Sequence, residues 1–372
     1  MPKIKSVDLF PVFCKLKRPY GDANGWKTHR AALLIRIRTE SGITGWGEAV
    51  DWLPALVPLF ENRIVPELTG LDARQIQTAV QQVAKWNQRA ASAVSMALTE
   101  IAAKQAGCSV CEWWGGEQHA QVPVYASYQS YAPDAQWERL AVDRVLAAYE
   151  AGFRQFKVKV GGKTLEEDQR HIRLLLGELP AGVRLAIDAN ESYDAATTKA
   201  WIPLLAQSDG WMWFEEPMPV KHASAYSELK QQLPVPVAGG ENIARPEEFL
   251  PLLQQRAFDI IQPDPMHLGG IETYRHMLSM ARTHGLRVSP HTFDGALSRH
   301  YAVLAQACLP AWSKMEGEEL EPVEWDAMEN PLGQLLSVKP NHGHVTISGE
   351  PGIGADVDEQ LLQSLRWDGS AY

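Results

Sequence analysis

"FKVKVGG", residues 156–162, sets two lysines one residue apart in a strand-like run. A strand turns alternate side chains to opposite faces. Lys157 and Lys159 therefore share one face, and Phe156, Val158 and Val160 share the other. An exposed edge strand carries lysines freely. A strand covered on both sides does not, unless something on the polar face needs the charge. The neighbouring segments decide which case applies.

From about residue 122 the chain alternates short apolar runs with amphipathic segments of helical period. The runs are "VPVYAS" (122–127), "FKVKV" (156–160), "RLAIDAN" (184–190), "MWFEEP" (212–217), "VPVAGGEN" (235–242), "FDIIQPD" (258–264), "LRVSPH" (286–291) and "WSKMEGE" (312–318). Between the second and third, "TLEEDQRHIRLLLGEL" opens with Thr164 and places Glu167 three residues on, a capping box that marks a helix start. Strand and helix repeating at this spacing predict a parallel sheet, and eight repeats predict a closed barrel. The alternative, an open doubly wound sheet, brings a Gly-rich phosphate loop after its first strand, and no such loop is present.

The preceding residues read differently. Strands are expected at 3–13, 31–39 and 43–49, and helices near 54–66, 72–88 and 91–106, the last ending at Gly107. The expected organisation is an α+β capping domain over 1–120, a barrel over 121–335 and a C-terminal segment over 336–372 that returns to the cap. The 372-residue length suits a barrel plus a smaller domain. A net charge of −10 without basic runs argues against nucleic acid and anionic membranes as partners. The N-terminus lacks a signal-peptide core, and no segment is apolar enough to span a bilayer, so a cytoplasmic protein is expected. Cys14, Cys108, Cys111 and Cys308 are too few and scattered for a disulfide framework, and "CSVC" reads as structural.

In a barrel of this kind the strands deliver functional groups at their C-terminal ends. Those ends carry Lys157 and Lys159, Asp188 followed by Asn190, Glu215 and Glu216, Glu241, Asp264, His291 and, on the run read as strand eight, Glu316. Singly, each has an ordinary explanation as a cap or a solvated charge. Converging on one rim, they form a site. Asp188, Glu215 and Glu241 stand on consecutive strands and repel one another unless a cation lies between them. An all-oxygen set without Cys or His suits Mg²⁺ rather than zinc. Burial and mutual repulsion are expected to lower the lysine pKa values, as a lysine base requires. Asp264 is positioned to orient His291, and Glu316 to hydrogen-bond a substrate oxygen. The set fits removal of a proton next to a carboxylate, with the dianionic enediolate held by a cation and cationic side chains.

With "FKVKVGG", "DAN", "FEEP", "GGEN", "QPD" followed by "GG", and "PH", nearly the whole chain resembles the enolase superfamily, specifically its mandelate racemase subgroup. The resemblance implies a (β/α)7β barrel, a modified TIM barrel, under an N-terminal capping domain. It implies Asp188, Glu215 and Glu241 as Mg²⁺ ligands, Lys159 as one base with Lys157 assisting, and His291 with Asp264 as the opposite acid/base pair. Glu316 matches the strand-eight carboxyl group and Asn190 a polar residue beside the metal. The muconate-lactonizing subgroup carries a lysine on strand six, where this chain has Asp264. His267 nearby reads as local structure. The implied reaction is dehydration of an acid sugar to a 2-keto-3-deoxy acid. Racemisation or epimerisation of a 2-hydroxy acid is the alternative, and a non-catalytic binding protein on the same fold the remote one. Homo-oligomers are implied by resemblance alone. Substrate contacts are expected from "YGDANGWKTHR" (20–30), read as a mobile polar lid, through Asp22, Asn24, Trp26, Lys27, His29 and Arg30, which could meet hydroxyls or a distal carboxylate, and from a second loop beginning at Asp51 and Trp52.

Overall fold

The computed structural model describes residues 2–372. Three antiparallel strands, β1 (Ile4–Asp22), β2 (Gly25–Thr39) and β3 (Thr44–Ala49), form the sheet of the capping domain. The helix Gln88–Ala106 crosses β3, and Gly45 and Gly47 permit the approach: a Cβ at either would stand 2.0 or 1.9 Å from the carbonyl oxygens of Ala97 and Ala93. The expected lid loop at 20–30 is instead part of a long hairpin. Tyr20, Gly21 and Asp22 pair with Lys27, Trp26 and Gly25 across a two-residue turn. Gly21 also exchanges backbone hydrogen bonds of 2.9 and 3.1 Å with Tyr131 at the barrel rim. Glycines at 21 and 25 thus serve a tight hairpin, and the polar residues lie on paired strands.

Eight parallel strands follow: β4 (Gln121–Tyr128), β5 (Gln155–Lys159), β6 (Arg184–Asp188), β7 (Trp211–Glu215), β8 (Val237–Gly239), β9 (Ile260–Ile261), β10 (Arg287–Val288) and β11 (Val323–Asp326). They are neighbours in sequence order, with β11 returning beside β4. Glu324 N–H donates to Pro290 C=O at 3.2 Å, joining the eighth strand to the end of the seventh. Helical segments fill every connection, which gives the (β/α)7β order. Phe156, Val158 and Val160 face the helices in the outer core, while Tyr125, Ala186, Met212, Trp213, Ala238 and Ile260 form a smaller cluster. Each large apolar side chain so buried contributes about 2 kcal/mol. Both faces of β5 are buried, so the lysines have left water for the barrel interior.

The eighth strand is not where the sequence placed it. "WSKMEGE" is a turn-rich, mostly exposed segment at the N-terminal end of the barrel, with Gly317 at φ 77°. There Trp312 covers Arg287 and Glu318 pairs with Arg184, residues that begin β10 and β6. The strand is "VEWD", eleven residues later than Trp312. The tail also divides. β12 (His344–Thr346) pairs antiparallel with β4 of the barrel, whereas the helix Glu359–Ser364 and its flanks reach the cap, where Trp367 N–H donates to Pro11 C=O at 2.9 Å.

Polar contacts made by buried Glu48 and Arg30 fasten cap to barrel. Glu48, at the end of β3, accepts hydrogen bonds from Ala296, Leu297 and Ser298 N–H at 3.2, 2.8 and 3.2 Å, at the start of the helix Ala296–Ala307. A carboxylate there meets the positive end of the helix dipole. Arg30 of β2 pairs with Asp294, and with Asp326 of β11 at 2.9 Å; Lys27 joins Asp294 at 2.6 Å.

Candidate active site

Lys159, Asp188, Glu215, Glu241, Asp264 and Glu324 are all buried at the barrel mouth, with His291 partly so. Strand alternation puts Lys157 and Lys159 on the interior face, and parallel register sets Lys159 beside Asp188 and Asp188 beside Glu215. One oxygen from each of Asp188, Glu215 and Glu241 lies within 4.8 Å of the others. Together they could hold a divalent cation. The donor set is all oxygen, and the buried Oδ1 of Asn190 next to it has no hydrogen-bond partner. Gln262 Nε2 and Trp213 Nε1 both donate to Glu215 Oε2, at 2.7 and 2.8 Å, and fix that carboxylate. Asn190 Nδ2 donates to Glu241 Oε1 at 3.3 Å. Glu216 points away and accepts from Gly240 N–H at 2.8 Å.

Lys159 Nζ reaches Asp188 at 2.5 Å. Lys157 sits deeper, paired with Glu215, with Glu324 at 3.0 Å and with Asp188 at 3.2 Å, its ammonium over the Tyr125 ring. His291 Nδ1 lies 2.7 Å from Asp264 Oδ2, a contact that places a proton on Nδ1 and directs Nε2 toward Glu241 at 3.3 Å and Glu324 at 3.5 Å. Asp264 is held in turn by Met266 N–H at 2.6 Å. His267 binds the Glu241 backbone carbonyl at 2.7 Å.

The electrostatics depart from the sequence expectation. Burial lowers both lysines, but the facing carboxylates outweigh it: Glu215 and Glu324 raise Lys157, and Asp188 raises Lys159 despite the repulsion from Lys157. Counting burial and like charge alone misses three acids at contact distance. Burial would lower His291, yet the charges of Glu241 and Glu324 and the hydrogen bond to Asp264 bring it up to about 10. Glu215 is raised by burial and by Asp188.

Glu316 is exposed on the turn at the opposite end of the barrel, so the strand-eight carboxylate at this site is Glu324. Its Oε2 accepts from Thr292 N–H at 3.0 Å. The alternation Val323, Glu324, Trp325, Asp326 after Pro322 was the available signal. Asp22 and Asn190 line a cavity of about 190 Å³ together with Lys159, Glu241, Asp264 and His291. His29 and Trp52 line a neighbouring cavity of about 300 Å³, where His29 stacks on Phe13 and meets Tyr372 edge-on. Trp26, 52% exposed on the hairpin, lines neither. Asn24 and Lys27 of the hairpin also wall the first cavity, as do Arg89, Gln129 and Asp294, which were not foreseen. Among the described residues six non-glycine residues have positive φ; Asn190, Glu191 and Glu216 directly follow β6 and β7, and Asp294 lies in the loop after β10, so backbone strain concentrates around the site.

A (β/α)7β barrel under an α+β cap, with acidic strand ends facing a lysine and a histidine–aspartate pair, defines an enolase-type protein. The chain matches the family models described as "Enolase C-terminal domain-like" over residues 141–361 and "Mandelate racemase / muconate lactonizing enzyme, N-terminal domain" over residues 5–115. It belongs to the mandelate racemase and muconate lactonizing enzyme family, and its relatives there include dehydratases and cycloisomerases. It is 30% identical to D-galactarolactone cycloisomerase of Agrobacterium fabrum, covering 98% of this chain and 99% of the relative. It is 26% identical to L-talarate/galactarate dehydratase of Salmonella typhimurium, covering 98% and 91%. The crystal structure of 3,6-anhydro-D-galactonate cycloisomerase from Zobellia galactanivorans superposes with a TM-score of 0.85 at 26% identity, covering 98% of this chain and 100% of that one. Among the described residues no helix is long and apolar enough to cross a membrane.

Proposed function

We propose that the protein removes the proton α to a substrate carboxylate and eliminates the β-oxygen, acting on an acid sugar as a dehydratase that gives a 2-keto-3-deoxy acid. The carrying observation is that Lys159 and the His291–Asp264 pair, from strands well apart around the barrel, line one cavity beside the acidic triad. Lys159 accepts the α-proton in its neutral form, which requires that the hold of Asp188 on its ammonium be relieved. His291, held charged by Glu241, Glu324 and its hydrogen bond to Asp264, returns a proton to the β-hydroxyl, which leaves as water; the enol product tautomerises to the keto acid. Lys157, outside the cavity wall, positions Glu215 and Glu324 and contributes positive charge beneath the substrate carboxylate. Asp188, Glu215 and Glu241 would hold Mg²⁺, which supplies charge that weakens the acids' hold on Lys159 and stabilises the developing dianion.

The likeness to lactone and anhydro-sugar cycloisomerases favours a second reading of the same steps. When the β-oxygen belongs to a ring, its elimination opens the ring without releasing water. Racemisation would instead return the proton at the α-carbon.

A screen of aldonates, aldarates and their lactones with Mg²⁺, read by 2-keto acid formation and by ¹H NMR in D₂O, separates these outcomes. Keto acid with a mass loss of one water supports dehydration. Keto acid without mass change supports ring opening, and α-proton exchange alone supports racemisation. Lys159→Met and His291→Asn should each lose at least about a hundredfold in kcat while remaining folded. Wild-type turnover in either variant, or full activity after exhaustive chelation, would refute the mechanism.

A further inference from the structure

The cations around the two cavities nearly all have an acid. Lys27 pairs with Asp294, Arg30 with Asp294 and Asp326, Lys159 with Asp188, and His291 with Asp264. Arg89 is the exception. It walls both cavities, its one hydrogen bond runs from Nη1 to the Val50 carbonyl at 2.6 Å, and among the described residues no carboxylate lies within 4.0 Å of it. It is also placed against the helix it belongs to. Arg89 is the second residue of Gln88–Ala106, at the positive end of the dipole, where a cation is unfavourable. The position stabilises neither the helix nor an ion pair, and its remaining guanidinium donors have no protein partner among the described residues.

We infer that Arg89 binds a second carboxylate of the substrate, so that the preferred substrate is a dicarboxylate: an aldarate, or a lactone retaining one free carboxylate beyond the ring. This rests on the acid-sugar reading above and narrows it. The reacting end lies among Lys159, His291 and the acidic triad. The far end extends past Asp22 and Lys27 toward the point where the two cavities meet at Lys27, Val50, Arg89 and Asp294. Asp22 and Asp294 flank the path and accept hydrogen bonds from the intervening hydroxyls. They also repel an anion placed short of Arg89, so the charge is read at one distance from the reacting carbon. The planar guanidinium, with Nη2 and Nε free of protein partners, suits a carboxylate in two-point contact.

The test compares matched six-carbon pairs, galactarate with galactonate and glucarate with gluconate, in Mg²⁺ buffer. Dissociation constants come from calorimetry, and keto acid formation is followed in parallel. Wild-type protein should favour the diacid of at least one pair by about tenfold or more, the scale of a charge-assisted hydrogen bond. Arg89→Gln should collapse that ratio toward one, and Arg89→Lys should restore part of it, with near-wild-type circular dichroism in both. Absence of a diacid preference in every pair, or an unchanged ratio in Arg89→Gln, would overturn the inference. An Arg89-dependent preference without keto acid from any substrate would leave the inference standing and sink the dehydratase reading instead.

Discussion

Lys157 and Glu324 allow the buried charge network to be measured apart from any substrate. Their Nζ–Oε1 separation is 3.0 Å and both side chains are fully buried. At an effective dielectric of about 20 the attraction across that distance is about 5.5 kcal/mol. Lys157 shares its charge with Glu215 and Asp188, and Glu324 also faces His291, so each partner left alone retains some compensation. We therefore expect Glu324→Gln, which keeps an oxygen for the Thr292 N–H, to cost about 3 kcal/mol, and Lys157→Met about 4 kcal/mol. The double variant should lose less than the sum, because neither change then strands an unpaired charge against the other. The expected coupling is about 2–3 kcal/mol. Equilibrium urea unfolding followed by tryptophan fluorescence reads all four proteins, and Trp213, bonded to Glu215, reports from inside the barrel. Additivity within about 0.5 kcal/mol would show that the two groups do not act as a pair.

The other expectations are briefer. Glu316→Ala should change kcat less than twofold and stability by less than about 0.5 kcal/mol, since its carboxylate stands exposed far from the site; a large kinetic loss would restore it to the mechanism. His171 is buried with no hydrogen-bond partner on either ring nitrogen, and burial brings it down to about 4. Its contribution is intact above pH 6.5 and drains away as the pH falls toward 4, because only the unfolded chain takes up the proton there. The loss reaches about 3 kcal/mol. His171→Phe, which keeps the ring against Trp137, should flatten that part of the stability–pH curve, and an unchanged slope would refute the assignment. Gly47→Ala should destabilise by about 3 kcal/mol or more in thermal unfolding, because the added methyl meets the Ala93 carbonyl; tolerance would mean the helix can withdraw from the sheet.

Much of the barrel was legible because each parallel strand is a short apolar run that ends on a polar residue. That punctuation located Lys159, Asp188, Glu215, Glu241, Asp264 and His291 by position alone. Glu324 escaped because its strand is four residues long and carries two acids, so "VEWD" lacks an apolar run; "WSKMEGE" offered similar residues at the expected spacing. The hairpin at 20–30 escaped because Gly and polar residues read as a loop, while the pairing that orders them comes from β2 and from Tyr131 across the rim. Arg89 left no local signal at all. Its relevance arises from the docking of a cap helix over the barrel mouth, a contact between residues distant in sequence. The direction of the lysine shifts required the same information, since it depends on carboxylates from β6, β7 and β11 at once.

Glu48 has a consequence for how this architecture can be altered. The cap carries Asp22, Lys27 and Arg89, and so invites treatment as an interchangeable specificity part. Yet the Glu48 carboxylate closes the first turn of the barrel helix that follows the His291 loop, and a Cβ on Gly295 would stand 2.6 Å from Glu48 Oε2. A cap transplanted from a relative without an acid at that point would strip three backbone N–H groups of their acceptor and loosen the loop bearing His291. Changes of substrate are therefore more readily reached by replacing side chains within the cap than by recombining whole domains.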